Sequence, residues 1–325
     1  MASAAGIRQG IYRSSRVRRL VRWLDAMAHP PLAIEISVDR VAGVRWTRAG
    51  SIESFAVEPL PAGVIVPSAV ESNLLDISVL RTAFATVCGR LHAKDEDVAM
   101  LLPDPAIRVL VQHFEEFPRS PEAALPMLRW KLKKSIPFEV DETLISYMRQ
   151  APREHGVDVV IALARNQVVR EYEALAEFAG LRAGVILSSS LAAVALLEAR
   201  GMTLLARISG TALTTAIVRD GVLCGYRCTE LPVPGSQLTP QMLLEEIFPA
   251  AVFYQDTWHE GIQSVRIAGL GGRLLDFVAP LESEFHCTVQ SLLHTAVGDG
   301  HIPEDARPLA DSGQEGLVGW MLNRG

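Results

Sequence analysis

Three observations in the sequence predict a two-lobed α/β protein. The first is length: 325 residues exceed one typical domain, so two separate cores are expected. The second is an internal repeat. LAIEISVDRVAGVRWTRAGSIESFAVEPLP, from Leu32, aligns with LLARISGTALTTAIVRDGVLCGYRCTELP, from Leu204, when Glu35 is set over Arg207, Ile36 over Ile208 and Ser37 over Ser209. With one residue gapped, TRAGSI then falls over VRDGVL and EPLP over TELP. Each copy reads as a three-stranded meander, and the copies lie about 170 residues apart. The third is a strand, a glycine corner, a helix and a strand in that order near the C-terminus. Duplicated lobes of this kind face each other across a cleft and would point their equivalent hairpins into it.

The elements follow in order. Before Asp25 the chain carries Arg8, Arg13, Arg16, Arg18, Arg19 and Arg22 with no acidic residue, while Val17, Leu20, Val21 and Leu24 recur at helical spacing. Residues 1–29 are therefore read as a basic amphipathic arm, able to rest on an anionic membrane surface or to remain a solvated leader. The first lobe is expected over residues 30–95, with 186–200 and 305–325 returning to it. VAMLLP and IRVLVQHF read as strands, and Ser120 with Pro121 marks a helix N-terminus. ISYMRQ and DVVIALA are two more strands, and a helix over residues 167–179 buries Val168, Tyr172 and Leu175 before Gly180 closes it. These pieces predict an α+β insert over residues 96–185. The second lobe, residues 201–304, continues from its meander through Pro232, Pro234 and Pro240 into a helix running toward Trp258. It then passes through SVRIAG, the corner Gly269-Leu270-Gly271-Gly272, a further helix and HCTVQSL.

Composition excludes several classes. Hydrophobic residues make up 49% and charged residues 21%, and the net charge of −6 offers no bulk attraction to nucleic acid. Four scattered cysteines do not make a disulfide framework, and no apolar run approaches the ~18 residues of a spanning helix. Cys224 and Cys228 lie four apart without a second pair, and the histidines show no HExxH spacing, so no metal site is called. Ser188, Ser189 and Ser190 lack a G-x-S-x-G elbow and read as a helix N-cap. Lys131, Lys133 and Lys134 form a basic patch on the insert helix, read as a solvated face.

RWKLKKSIPFEVDETLISYMRQ (129–150) resembles the PilM family of type IV pilus assembly, in its helix ending at an Ile-Pro-Phe turn before an acidic residue and a strand. VVIALARNQVVREYEALAEFAGLRAGVI (159–186), the second meander and RIAGLGGRLLDF (266–277) extend the likeness over about residues 30–325. The resemblance implies an actin-like, ribonuclease H-like duplicated fold with an insert subdomain placed as in FtsA and a reduced second lobe. It also implies a cytoplasmic adaptor at the inner face of the bacterial inner membrane, in a homo-oligomeric ring, gripping the N-terminal tail of a PilN-like protein. Ile136, Pro137 and Phe138 would then line the groove for that tail.

The departures bear on the nucleotide. In that family each meander opens with an Asp-x-Gly signature whose carboxylates hold Mg²⁺ and whose glycines let amides approach phosphate. Here the first reads Glu35-Ile36-Ser37 and the second Arg207-Ile208-Ser209. A guanidinium repels a metal ion but forms a bidentate pair with a carboxylate, so Glu35 and Arg207 are expected to pair across the cleft. Together with Ser37, Ser209, Gly210, Gly269, Gly271 and Gly272 they mark a degenerate nucleotide site with no catalytic residue and no cofactor. An active ATP-binding ATPase or filament former is the alternative.

Overall fold

Residues 29–47, 51–133, 136, 139–152, 155–197, 200–293, 304 and 307–322 are described by a computed structural model. The N-terminal arm up to residue 28, Lys134, Pro137 and Phe138 lie outside them. β1 (Leu32–Ile36) is buried along its whole length, as befits a strand covered on both faces. It pairs antiparallel with β2 (Arg40–Trp46), which pairs with β3 (Ile52–Pro59), completing the first meander. Helix α1 (Ile77–Arg90) follows, its first turn capped by the Asp76 carboxylate accepting from the amides of Ser78 and Val79. β4 (Asp97–Leu102) then lies parallel to β1.

A second sheet repeats the design. β9 (Met202–Ser209), β10 (Ala212–Arg219) and β11 (Val222–Glu230) form the meander, and β12 (Ser264–Ala268) runs parallel to β9. The strand orders are β3-β2-β1-β4-β8 and β11-β10-β9-β12-β13, with β8 (Arg182–Ser188) and β13 (Thr288–Ser291) each parallel to its neighbour. The register agrees to the residue. Glu35 lies opposite Ala42 and Arg207 opposite Thr214, so both occupy the same place two residues before the hairpin turn.

A third sheet, β5-β7-β6, consists of β5 (Arg108–Phe114), β6 (Thr143–Pro152) and β7 (Val157–Arg165), and α2 (Pro121–Leu132) packs its Ala124, Leu128 and Leu132 against it. This sheet is narrower than the expected 96–185 insert. β4 and β8 belong to the first sheet, and α3 (Asn166–Phe178) buries Val168, Tyr172 and Leu175 in the first core. Sequence contiguity misassigned them: VAMLL is a continuous apolar run because it is a central parallel strand, covered on both faces.

After β8 comes the short helix α4 (Ser189–Ala193). In the second lobe α5 (Pro240–Trp258) and α6 (Leu274–Phe285) pack Leu243, Ile247, Phe277 and Leu281 under the sheet. Two short helices, α7 (Arg307–Asp311) and α8 (Glu315–Leu322), end the described chain, and α8 returns Leu317, Val318 and Trp320 to the first core. It fits closely because it lacks side chains where it crosses α4. A Cβ on Gly319 would lie 2.3 Å from the Ala192 carbonyl oxygen, inside any real contact.

The third sheet is also tied to the second lobe. The Gln150 amide donates to the Leu223 carbonyl at 2.7 Å and accepts from the Leu223 amide at 2.9 Å. Leu223 lies on edge strand β11, so one side chain supplies both hydrogen bonds that a further strand would have made.

Candidate functional site

The two equivalent hairpin turns meet face to face. Gly210 takes a φ of +62°, open to few residues but glycine, and a Cβ there would stand 2.8 Å from Val38 of the opposite hairpin. Behind this contact Arg207 crosses the cleft, and its Nη2 donates to Glu35 Oε1 at 2.8 Å. The expected pair therefore forms, but as part of a larger cluster. Arg207 Nη1 lies 3.6 Å from Asp104 Oδ2, and Nε lies 3.7 Å from Glu315 Oε2. All four side chains are buried, Arg207 being 5% exposed.

One cation thus faces three carboxylates. Burial lowers the affinity of Arg207 for its proton, but Glu35, Glu315 and Asp104 outweigh burial, and the guanidinium is held charged. Burial pushes the Glu315 carboxyl up, against the pull of Arg207.

Hydroxyls complete the cluster. Ser188 and Ser190 donate their hydroxyls to Asp104, which also accepts from the Ser190 amide at 2.9 Å and the Thr214 hydroxyl at 3.0 Å. Tyr226 Oη lies 3.3 Å from the same carboxylate and 2.8 Å from Ser188 Oγ. Glu35 accepts from Ser189 Oγ and, at 3.2 Å, from the Leu317 amide in the first turn of α8, where a carboxylate also meets the positive end of the helix. Burial and then Asp104 push the Cys228 thiol up to about 12, so it stays protonated.

A magnesium-bound phosphate chain does not fit these residues. A guanidinium stands between the lobes among three carboxylates, and the two hairpin turns approach closely, Gly210 against Val38. Asp104 is an acid in the cleft that the sequence reading did not single out. Its oxygens already accept several hydrogen bonds, which leaves it poorly placed as a base for a substrate hydroxyl.

The other expected positions are distributed as follows. Ser37 turns back into its own hairpin, donating to Asp39 at 2.8 Å. Ser209 is half-buried at the second turn. Gly269, at φ +86°, runs against β9: a Cβ would lie 1.9 Å from the Ile208 carbonyl oxygen. Gly271 and Gly272 are exposed and open, beside an Arg273 that donates to the carbonyls of Gly235, Ser236 and Leu238. Ile136 packs against the core of the third sheet, away from this cluster. Lys131 is not merely solvated: it donates to the His113 carbonyl and stands 4.0 Å over the Phe114 ring.

No family model matches the sequence. The structure is similar to a chain of a PilM–PilN type IV pilus biogenesis complex, with a TM-score of 0.72 at 16% identity, covering 90% of this chain and 97% of that one. The fold is actin-like. Looser likenesses, on which nothing rests, include an actin-like ATPase fold protein of unknown function from Bacteroides thetaiotaomicron (TM-score 0.48, 9% identity, 88% and 97% covered). Another is the cytoplasmic domain of EpsL, an inner membrane component of the type II secretion system of Vibrio cholerae (TM-score 0.45, 12% identity, 73% and 80% covered). The turns after β1 and β9 face each other between the two sheets, with Arg207 buried behind them. Asp104, Thr214, Tyr226 and Glu315 were missed by sequence reasoning. The available signals were lone polar residues at the ends of apolar runs, VAMLLP before Asp104 and GLVGWML after Glu315. No helix among the described residues is long and apolar enough to cross a membrane.

Proposed function

We propose that this chain is a non-hydrolysing adaptor of a type IV pilus assembly machine, working at the inner face of a bacterial inner membrane. It would grip the cytoplasmic tail of a PilN-like membrane protein and form a homo-oligomeric ring. The observation that carries the non-catalytic part is Arg207, a buried cation among three carboxylates in the interlobe cleft. The similarity in fold to a chain of a PilM–PilN complex supports the choice of machine.

The adaptor reading needs a groove for an extended peptide, and of the three residues expected to line it Ile136 packs against the core of the third sheet. The link from Gln150 to Leu223 fixes the third sheet to the second lobe, so a peptide seated there would bear on a rigid body. Calorimetric titration of the full-length protein with a synthetic peptide of the PilN cytoplasmic tail tests this. Saturable binding, weakened in a folded Phe138→Ala variant, is expected. Absence of binding would remove the adaptor role, and Mg²⁺-dependent ATP turnover would move the protein to the ATPase alternative.

A further inference from the structure

We infer that the outer face of α5 and α6 docks the basic N-terminal arm of a second copy of this chain. α5 turns Leu243, Ile247 and Ala251 inward and leaves Phe248, Val252 and Phe253 exposed on the other side, Phe253 at 61%. On α6, Leu275 is 82% exposed. The Phe248 and Phe285 rings lie 6.3 Å apart, where the two helices meet. Exposed apolar groups gathered in this way mark an interaction surface more often than the same groups scattered singly.

Charge selects the occupant. α5 and α6 together carry Glu245, Glu246, Asp256, Asp276, Glu282 and Glu284 with no lysine or arginine. The arm is the inverse in charge and the match in pattern, with six arginines before Asp25 and Val17, Leu20, Val21 and Leu24 at helical spacing. A basic amphipathic segment laid on an acidic apolar face buries apolar area and neutralises both partners.

Position allows the acceptor to belong to a second copy. The described chain begins at His29, whose ring lies 4.6 Å from Trp320 in the first core, so the arm departs from the first lobe. Its acceptor lies on the second. Such a contact is either reciprocated, closing a dimer by arm exchange, or repeated head-to-tail, and the repeated form gives a ring or an open filament. This supplies a contact for the ring proposed above and rests on that part of the reading alone. Binding of the PilN tail is untouched by it, so the two fail separately.

Sedimentation velocity of the full-length protein tests the contact. Wild-type protein is expected to self-associate, less so as salt rises. Arg18→Glu/Arg19→Glu/Arg22→Glu on the arm, or Glu245→Lys/Asp256→Lys/Asp276→Lys on the face, should each weaken association by roughly tenfold or more. An equimolar mixture of the two variants should associate again, because each reversed surface meets its opposite. Unchanged melting temperatures establish that both variants fold. A monomeric wild type, undiminished association in either variant, or a mixture that stays monomeric would overturn the inference. So would an arm variant that loses binding to phosphatidylglycerol vesicles while self-associating as before, since that assigns the arm to lipid.

Discussion

In the first lobe the strand before the hairpin turn brings Glu35 to the cleft, and in the second the equivalent position brings Arg207. The lobes differ again one strand further on. Leu101 pairs with Glu35 and Ala268 with Arg207, so three residues beyond those partners the first lobe presents Asp104 and the second presents Gly271. One lobe contributes carboxylates and serine hydroxyls, the other the cation and two further hydroxyls, Thr214 and Tyr226. A duplicated backbone therefore does not carry a duplicated chemistry. Complementary charges at equivalent positions turn two like halves into one locked unit.

The largest effect should come from breaking that complementarity. Arg207→Met leaves three buried carboxylates without their cation and should cost about 3–5 kcal/mol in urea unfolding. Glu35→Gln should cost less, about 1–3 kcal/mol, since Arg207 keeps Asp104 and Glu315 as neighbours. A double-mutant cycle sharpens the point. The double variant should be milder than Arg207→Met yet worse than Glu35→Gln, whereas an isolated pair would make it milder than both.

Next comes the glycine corner on the second lobe. Gly269→Ala, at positive φ and against the Ile208 carbonyl, should destabilise by more than about 1 kcal/mol, whereas Gly272→Ala, in open space, should not. Gln150→Ala should lower stability by about 1–3 kcal/mol by leaving both backbone groups of Leu223 unpaired. An unchanged melting curve would mean that the third sheet is not tied to the second lobe.

The smallest effect is one of pH. The carboxyl of Glu315 titrates above its ordinary range in the folded chain, so the folded state holds this proton more tightly than the unfolded one. Its contribution is present in full below the ordinary carboxylate value and declines as pH rises toward the folded value. Stability of Glu315→Gln relative to wild type should therefore rise with pH across that window. A difference independent of pH would show that Glu315 titrates normally.

The meanders, the glycine corner and the limits of α2, α3 and α5 were legible in the sequence because each rests on local chemistry, whereas α1 was not read. Ser188 does cap α4, accepting from the Leu191 amide, and Gly180 does close α3 at a φ of +73°. The pairing of Glu35 with Arg207 was legible because the repeat put both at one position and their charges are opposite. Asp104 and Glu315 were not legible. They reach the cluster only through the parallel pairing of β4 with β1 and the return of α8, long-range events without a local pattern. The insert limits failed for the same reason, since β4 and β8 join a sheet begun far earlier in the chain.

If the Arg207 guanidinium stands where magnesium and phosphate would otherwise bind, the folded protein takes up no nucleotide. Thermal unfolding of the full-length protein across a titration of Mg·ATP tests it most directly, because any ligand of the folded state raises apparent stability by mass action. The expected result is no rise at millimolar nucleotide. A saturable, magnesium-dependent rise that Glu35→Gln abolishes would contradict it.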